Sequence, residues 1–468
     1  MDEKRREKNG VKKMNYDVII VGSGPAGLFA ARELQNKKKV LLLDAGVDLS
    51  EKECKVETIG KCRYCKPVCH IIGGFGGAQF FEGTKLSVYP AGSGLLDFLP
   101  ENVSIHEVYD EVDSILESHG KKPRSNPDFN DVSKLKEEFS KQNIEMKYYN
   151  AQKVSKNTMN MIAISLKKEL LSNGVDIKLK EQVLNIKKYK NNTFGVETNN
   201  GKYKTKNILF AVGRIGSRSL TKIADAIGIN YEDEEQEMEI GIRIEMPYKV
   251  FDKVNNVHND LKLKMKLEDG SELRTFCQDY KGFITKCVYN MTGDKLVSSL
   301  DGHIIGTDEE GGNLSEVVNL AVHHRYKVNF PIERIYDIID KMSVNKRPIV
   351  QSMKNFMNNS NEENVFGTKF SMSDVVEANI NDYIPEETVR VLKDFIKRID
   401  KVLPGFADDL NTVYAPSFEM GWKKYIIDKD FQTNIKGIYV IGDACGHFRG
   451  AMQAMASGLL CARNILNK

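Results

Sequence analysis

A glycine-rich turn between a strand-like and a helix-like segment is the feature that most constrains this sequence. Asp17–Val21 (DVIIV) is apolar and β-branched, and Pro25–Leu34 (PAGLFAAREL) is an alanine-rich segment typical of a helix. Between them, G-x-G-x-x-G supplies one glycine for a tight turn, one for close approach of a pyrophosphate and one for helix packing. The helix N-terminus would offer N–H groups to phosphates. The sequence therefore predicts a dinucleotide site made of Gly22, Ser23, Gly24, Pro25, Ala26 and Gly27.

A second apolar run, Val40–Leu43, follows this helix and ends at Asp44. A carboxylate at this position accepts hydrogen bonds from ribose hydroxyls and disfavours a 2′-phosphate. Such continuous apolar runs suit a parallel sheet that is covered on both faces. We expect Asp44 and Ala45 to join the dinucleotide site, and both FAD and NAD fit this fingerprint.

Length and charge narrow the classes of protein to which the chain can belong. Its 468 residues suffice for two intertwined domains. Because 68 basic and 65 acidic side chains nearly cancel, to a net charge of +3, no nucleic acid is expected as a partner. No apolar run approaches the ~20 residues that span a bilayer, and Met1–Lys13 lacks the apolar core of a secretory signal. We expect a cytoplasmic protein with a disordered tail at residues 1–13 and no membrane partner; its oligomeric state stays open.

The C-terminal segment Gly437–Gly458 (GIYVIGDACGHFRGAMQAMASG) has the pattern of a strand ending in Gly-Asp, then a glycine turn and a helix of small residues. It resembles the second FAD motif of the glutathione-reductase-like flavoproteins. The resemblance implies that Asp443 binds the ribityl chain. It also implies that the helix beginning near Gly450 directs N–H groups at flavin N1 and the C2 carbonyl. FAD is therefore the expected cofactor, with Gly442, Ala451 and Met452 as further contacts.

Two further segments resemble parts of the same FAD site. Thr205–Gly213 (TKNILFAVG) is similar to the family's Ala-Thr-Gly segment, with Val212 in place of threonine. Val183 stands where the family's adenine-contacting valine lies. The resemblance adds Val183, Ala211, Val212 and Gly213 to the expected cofactor contacts.

Because the two motifs lie at opposite ends of the chain, the predicted fold is discontinuous. We expect an α/β protein in which a Rossmann-like, glutathione-reductase-like FAD-binding domain carries an inserted α+β substrate domain. The FAD-binding domain would comprise residues 14–100, 150–225 and 425–468. An insertion would occupy residues 101–149, and a substrate or cap domain residues 226–424.

Periodic patterns predict the elements between the motifs. Over Asn157–Leu171, Met161, Ile164, Leu170 and their neighbours indicate a helix. Glu316–Tyr326, which carries His323 and His324, is also interpreted as a helix, and its histidines as structural. The other predictions are a helix beginning at Pro385 and strands at residues 175–179, 183–187, 194–198, 208–212 and 437–441.

The spacing C-x2-C-x3-C formed by Cys62, Cys65 and Cys69 indicates a metal or redox site. Cys54 or His70 would supply a fourth ligand to zinc or to an iron-sulfur cluster. A redox-active or flavin-adjacent dithiol and unligated reduced cysteines are the two alternatives. With no export signal, a structural disulfide framework is not expected.

The glycine run at residues 73–77 (GGFGG) allows backbone to pass close to a flat ligand. It follows the second strand, so Gly76, Gly77, Thr84 and Lys85 are candidate contacts of the flavin or pyrophosphate. The run lacks the strand and helix of a second dinucleotide domain. NAD(P)H is therefore expected only as a transient electron donor at the flavin.

Nearly the whole chain resembles one group of flavoproteins. The cysteine segment, GGFGGAQFFEGTKL, Arg274-Thr275-Phe276-Cys277, Tyr414-Ala415-Pro416 and RGAMQAMASG together are similar to the uncharacterised FAD-dependent dehydrogenases, the NAD(FAD)-utilising dehydrogenase-like proteins. The resemblance implies that Arg274 and Cys277 line the substrate cavity. Ser417 stands where that family tends to carry an acid.

Catalysis at a flavin needs a proton donor or acceptor near the ring. Cys445 and His447 directly follow Asp443, so they are candidate catalytic residues beside Arg274 and Cys277. The predicted function is an FAD-dependent oxidoreductase that transfers hydride between flavin N5 and a small organic substrate, as a dehydrogenase or ene-reductase. The alternatives are an electron-transfer or redox module with a cysteine-bound cluster and a redox partner protein, and a tRNA-modifying flavoprotein.

Overall fold

The computed structural model describes residues 14–232, 238–290, 296–303, 315–327, 337, 341 and 347–468. Within these ranges the chain is a mixed α/β protein built on two main sheets. The predicted tail at residues 1–13 lies outside the described residues. No helix in the described ranges is long and apolar enough to cross a membrane.

The chain contains eleven helices and twenty-one strands within the described ranges. The helices are α1 (Pro25–Leu34), α2 (Lys55–Ile59), α3 (Gln79–Glu82), α4 (Ile105–Ser118), α5 (Phe129–Ser140), α6 (Lys156–Ser172), α7 (Gly213–Ile227), α8 (Asp252–Asn255), α9 (Met353–Asn358), α10 (Glu386–Asp400) and α11 (Ala451–Leu466). The strands are β1 (Met14–Val21), β2 (Val40–Leu43), β3 (Thr84–Ser87), β4 (Glu145–Lys147), β5 (Ala151–Val154), β6 (Asp176–Lys178), β7 (Val183–Lys188), β8 (Phe194–Thr198), β9 (Lys202–Phe210), β10 (Tyr231–Glu232), β11 (Met238–Pro247), β12 (Lys262–Lys266), β13 (Glu272–Tyr280), β14 (Phe283–Asn290), β15 (Leu296–His303), β16 (Val317–Arg325), β17 (Ile349–Ser352), β18 (Val376–Glu377), β19 (Thr412–Met420), β20 (Lys424–Tyr425) and β21 (Ile438–Val440).

The first sheet is assembled from both ends of the chain. β1 pairs in parallel with β2 on one side and with β9 on the other, and β2 pairs in parallel with β6. The outer edge of β9 is shared: its residues 202–205 pair with β8 and its residues 208–210 pair in parallel with β21. The C-terminal strand therefore enters the sheet that the N-terminal strand begins.

The short apolar strands of this sheet form because helices cover both of its faces. All four residues of β2 and all three of β21 are buried, which is the pattern expected of parallel strands. The predicted bounds of α1 and β2 are confirmed, and the predicted helices near Asn157 and after Pro385 are present as α6 and α10.

Of two further sequence predictions, the one for α6 is confirmed as a helix with Leu170 buried, and the one for residues 316–326 is wrong. In α6 the side chains of Met161 and Ile164 are exposed, because the face that contacts α1 and α3 is offset from them. The predicted helix at residues 316–326 is the strand β16, which pairs with β11 and β13. Its apolar run is a fully buried strand, a pattern that short runs share with buried helices. The buried residues of α6 are Met159, Ile162, Ala163, Leu166 and Leu170.

The second sheet has the strand order β18-β17-β19-β11-β16-β13-β12-β4. Along β11 the side chains alternate between an apolar set and a polar set, as the two-residue period of a strand requires. The apolar set faces α10, because His324, which pairs with Ile240 in the next strand, contacts Thr388 of that helix. The opposite face carries Glu239, Arg243 and Glu245, all of them buried.

Candidate functional site

The glycine turn has the geometry that its sequence predicts. Gly22 has φ of +106°, and a Cβ there would lie 2.3 Å from the carbonyl oxygen of Ala211. A Cβ on Gly27 would lie 1.9 Å from the oxygen of Gly22, so the helix packs tightly on the strand. A Cβ on Gly24, in contrast, would meet no atom within 4 Å. The turn is therefore closed towards β9 and open at Gly24, where a phosphate can approach the backbone.

Asp44 ends β2 beside this turn. Its Oδ2 accepts hydrogen bonds from the backbone N–H of Ser23 at 2.8 Å and from the Ser23 hydroxyl at 2.7 Å. Its Oδ1 accepts the N–H of Gly46 at 2.8 Å. A carboxylate has about four acceptor positions, so Oδ1 retains capacity for a ligand hydroxyl. The neighbouring backbone is also held, because the N–H of Glu181, two residues before Val183, donates to the Asp44 carbonyl at 2.8 Å.

The glycine run lies across the turn. The N–H of Gly76 donates to the Ser23 carbonyl at 2.9 Å, and a Cβ on Gly77 would lie 3.4 Å from Cα of Gly24. Lys52, which the sequence analysis missed, donates from Nζ to the Gly77 carbonyl at 2.6 Å. Burial lowers the pKa of Lys52 to about 8. A buried ammonium group therefore lies beside the predicted phosphate position.

The C-terminal motif forms the other side of the site. Gly442, with φ of +63°, opens a short turn, and Oδ1 of Asp443 accepts the N–H of Gly450 at 3.2 Å. Burial raises the pKa of the Asp443 carboxyl. Gly450 precedes α11, is exposed and has no side chain that caps the helix. The first N–H groups of α11 are therefore left without a side-chain cap, although Ala451 and Met452 are buried.

Three helices begin at the same edge of the parallel sheet. α1 follows β1, α7 follows β9 at Gly213, and α11 follows β21. Parallel strands present their carboxyl ends together, so the positive ends of the three helices converge there. Val212 lies in the same place, because its Cα is 3.1 Å from where a Cβ of Gly22 would stand. The open Gly24, the Asp44 carboxylate and the uncapped α11 fit an extended dinucleotide such as FAD.

The structure places Thr84 and Lys85 with other partners. Thr84 donates to the side chain of Gln79. Lys85 lies 3.3 Å from carboxylate oxygens of both Asp260 and Asp279, near the second sheet. Burial would lower the pKa of Lys85, but these two carboxylates raise it. Lys85 thus lies on β3 and forms an ion pair with Asp279 of the second sheet.

The structure does not support the predicted metal site at Cys54, Cys62, Cys65 and Cys69. In the part of the chain that the structure describes, no three His, Cys, Asp or Glu side chains are grouped to hold a metal ion. The cysteines serve separate local roles: Cys54 precedes α2, and Sγ of Cys62 accepts the N–H of Tyr64 at 3.4 Å. Burial raises the pKa of Cys69. None of the four forms a disulfide, and unligated thiols fit this arrangement.

The polar face of the second sheet gathers several buried charged side chains. Cross-strand register places its members side by side, for example Arg243 opposite Tyr414, and Asp279 opposite Asn319. Polar side chains in a protein interior need partners, so this face is built for contacts rather than for core packing. Its members are Glu239, Arg243, Glu245, Arg274, Phe276, Asp279, Asn319, His323, Tyr414, Ser417 and Glu419.

Glu419 joins this face to the cofactor segments. Its carboxylate is bound by Arg214 at 2.5 Å and by Arg449 at 3.3 Å. Arg214 follows Gly213 and Arg449 precedes Gly450, so both arginines adjoin predicted FAD contacts. The polar face is therefore turned towards the carboxyl edge of the parallel sheet.

Ser417, His323 and Glu239 form a hydrogen-bonded line across three neighbouring strands. Nε2 of His323 lies 2.8 Å from the Ser417 hydroxyl, and Nδ1 lies 3.4 Å from Oε2 of Glu239. Arg274 donates from Nε to the same oxygen at 2.6 Å. Burial would raise the pKa of Glu239, but the hydrogen bond from His323 and the charge of Arg274 lower it to about 2. The carboxylate thus holds the Nδ1 proton and leaves Nε2 to accept from the serine.

The other candidate catalytic residues have structural partners. Burial raises the pKa of Cys445 to about 12, so its thiol stays protonated near neutral pH. His447 bonds through Nε2 to the carbonyl of Tyr425 at 2.8 Å and packs edge-on against Phe98. Cys277 has φ of +46°, and burial raises its pKa to about 11. Catalytic roles for Cys445, His447 and Cys277 stay predictions. Arg274, in contrast, donates to Glu239, the carboxylate that also contacts His323.

Comparison with known proteins gives only distant similarity. No protein-family model matches the chain, and no curated protein sequence matches it. Among solved structures, glycine oxidase from Geobacillus kaustophilus is 10% identical, with 97% of this chain and 96% of that chain covered and a TM-score of 0.40. The FAD-bound, dithionite-reduced L-alpha-glycerophosphate oxidase from Mycoplasma pneumoniae is 15% identical, with 97% and 95% covered and a TM-score of 0.39. CtdE in complex with FAD and a substrate is 12% identical, with 97% and 84% covered and a TM-score of 0.39.

Proposed function

We propose that this chain is an FAD-dependent oxidoreductase that transfers hydride between flavin N5 and a small organic substrate. One observation carries the proposal: the glycine turn, the end of β9 and the start of α11 meet at one sheet edge, and Glu419 ties that edge to a buried charged face. The first three features fit a dinucleotide, and the fourth supplies polar groups for a substrate.

Each part of FAD has matching residues. Asp44 would bind the adenosine ribose, and the α1 N-terminus with Lys52 would bind the pyrophosphate. Asp443 would bind the ribityl chain, and the N–H groups at the start of α11 would face the flavin ring. When bound, FAD supplies a ring that accepts or donates hydride. The chain's own task is to position the substrate and to handle the accompanying proton.

The line of Ser417, His323 and Glu239 suits that task. His323 can take a proton at Nε2 from the Ser417 hydroxyl or return one to it. The Glu239 carboxylate, held charged by Arg274, stabilises the imidazolium that forms. The polar face would thereby move one proton between the substrate and the buried His323.

Several assignments belong to this proposal. Residues 226–424 would form the substrate domain, residues 101–149 an insertion, and NAD(P)H or a redox partner protein would supply or take electrons. The protein would act in the cytoplasm, without nucleic acid. The alternatives of an electron-transfer module and of a tRNA-modifying flavoprotein gain no support from the cysteine geometry or from the near-neutral charge balance.

Purification of the full-length chain tests the proposal. We expect a yellow protein that releases FAD on acid denaturation, identified by mass spectrometry, and whose flavin is bleached anaerobically by NADH or NADPH. Metal analysis on the same sample distinguishes a cluster-containing electron carrier. A folded protein that is colourless and does not bind added FAD would falsify the proposal.

A further inference from the structure

We propose that the polar face contains a carboxylate-binding subsite whose floor is Arg243 and Asn319, so that the organic substrate is a carboxylate. This inference rests on the proposed function and specifies its substrate class. Arg243 is fully buried. Its Nε donates to Oδ1 of Asn319 at 2.7 Å, and its Nη2 donates to the Cys277 carbonyl at 2.5 Å and to Asp279 at 3.1 Å.

The floor carries hydrogen-bond donors that lack acceptors. Nη1 of Arg243 and Nδ2 of Asn319 are buried and have no hydrogen-bond partner in the described ranges, whereas Oδ1 of Asp279 has its ion pair with Lys85. Leaving a buried donor unsatisfied costs about 1–3 kcal/mol, and more for a charged group. Both of these nitrogens can only donate. The group that completes them must therefore bring acceptor oxygens.

The charges around the floor also require an anion. Lys85, Arg243 and Lys262 share the carboxylates of Asp260 and Asp279. These five groups alone carry one more positive than negative charge. Buried charge without compensation is strongly unfavourable, so one negative ligand group restores the balance.

Two further ionisable groups, Glu245 and Lys153, lie close to these five. Burial raises the pKa of Glu245, the carboxyl opposite Asn319, which already accepts from Ser371 and Tyr414. Lys153 adds a further amino group close by, since Asp279 acts on its pKa, although burial lowers that pKa to about 8. With these two groups included, the cluster holds four basic side chains and three acidic ones.

Side-chain exposure increases from Arg243 to the charged residues around it. The side chains of Lys85, Lys262 and Arg274 are 13%, 18% and 18% exposed, whereas that of Arg243 is 0% exposed. The half-buried Phe276 lies between Lys262 and Arg274, whose cationic groups are 4.5 and 4.9 Å from its ring centre. A carboxylate that passes Phe276 would place one oxygen on Arg243 and one on Asn319.

The position of the subsite relative to Ser417, His323 and Glu239 supports this assignment. The Phe276 ring stacks on His323 with ring centres 5.6 Å apart. A substrate anchored at Arg243 would therefore extend past Phe276 towards His323 and Ser417. Anchoring one end of a substrate beside the proton-handling groups is how an enzyme gains from orientation.

Calorimetric titration of the FAD-containing protein with benzoate, and with uncharged benzamide, tests the subsite. We expect benzoate to bind and benzamide to bind at least tenfold more weakly. Asn319→Asp keeps the acceptor for Arg243 but replaces the free donor with a negative oxygen, so the Kd for benzoate should rise at least tenfold. Asn185→Asp, at an exposed position of β7, adds the same charge and should leave this Kd unchanged.

A second variant keeps the test valid if Asn319→Asp fails to fold. Arg243→Lys retains a cation but has no planar fork, and it should also weaken benzoate binding at least tenfold. Equal binding of benzoate and benzamide, an unchanged Kd in both variants, or no benzoate binding by the wild-type protein overturns the subsite. Because bound FAD is measured on the same samples, loss of the subsite with retained flavin is distinct from failure of the proposed function.

Discussion

The backbone of Gly458 rests against that of Ala26: a Cβ on Gly458 would stand 2.3 Å from the Ala26 carbonyl oxygen and 3.0 Å from the N of Ala30. This contact seats the last helix of the chain on the helix that follows the glycine turn. The helices α1 and α11 begin at the two ends of the proposed FAD site. The spacing between them therefore depends on the absence of a side chain at Gly458.

Gly458→Ala should destabilise the protein by about 1–3 kcal/mol, because the added methyl group forces α11 away from α1. The same shift should lower the amount of FAD that copurifies. Chemical denaturation followed by circular dichroism gives the free energy of unfolding. Asn464→Ala, at a half-buried position of the same helix, serves as the control and should change stability by only about 0.5 kcal/mol. An unchanged unfolding free energy for Gly458→Ala contradicts the close contact.

Asp443→Asn should weaken FAD binding about tenfold or more, since a hydrogen bond to a charged group contributes about 1.5–3 kcal/mol. The amide oxygen of asparagine can still accept the Gly450 N–H, so the local turn should persist. Fluorescence titration of the apoprotein with FAD measures the effect. Asp408, which is exposed and accepts the N–H of Leu410 at 3.0 Å, provides a matched Asp→Asn control. Equal FAD affinity in the two variants would remove Asp443 from the site.

The sequence predicts the cofactor edge well because its determinants are local. A glycine turn, an acid after a strand and a small-residue helix need only the parallel sheet to bring them together, and the structure confirms that sheet. The inward face of α6 and the strand identity of β16 were missed, because each depends on which elements pack against the segment. Lys52 was missed for the same reason.

The polar face was only partly predictable. Arg274 and Cys277 were selected through a family resemblance, whereas Arg243, Asp279 and Asn319 were not selected at all. A signal was nevertheless present, since Glu239, Arg243 and Glu245 occupy alternate positions of an otherwise apolar strand. Charged residues at the period of a buried strand indicate a functional face. Their pairing, however, depends on the register of β11 with β16 and β19.

Stability should fall between pH 6.5 and 4 partly because of His258. Burial lowers the pKa of His258 from 6.5 to about 4, so the folded protein keeps this histidine neutral while the unfolded chain takes up a proton. The contribution of neutral His258 to the free energy of unfolding is complete above pH 6.5 and is lost as the pH falls towards 4. Its upper limit is about 3 kcal/mol.

His258→Asn should flatten this part of the pH profile, since the asparagine oxygen can accept the Asp260 N–H that Nδ1 now accepts at 3.1 Å. Urea denaturation at intervals from pH 7 to 4 gives the unfolding free energies. His106 is exposed, so His106→Asn should follow the wild-type curve. Identical slopes for His258→Asn and the wild type would show that His258 is not kept neutral by the fold.

The adjacent histidines of β16, His323 and His324, allow a catalytic role to be distinguished from a structural one. His323 faces Ser417 and Glu239, whereas His324 faces the opposite side of the sheet and contacts Thr388 and Ser271 at 3.0 and 2.9 Å. Both side chains are buried, so replacing either should cost stability. Only His323 lies in the proposed proton line.

His323→Gln should lower kcat by about 10²–10⁴, the usual range for loss of a general acid or base, with FAD content unchanged. His324→Gln should keep kcat near the wild-type value in turnover with any substrate that the wild type accepts. Because Ser417 and His323 act as one unit, the double variant His323→Gln/Ser417→Ala should be no slower than His323→Gln alone. Multiplicative losses in the double variant, or an equal loss in His324→Gln, would show that the line is structural and that the proton is handled elsewhere.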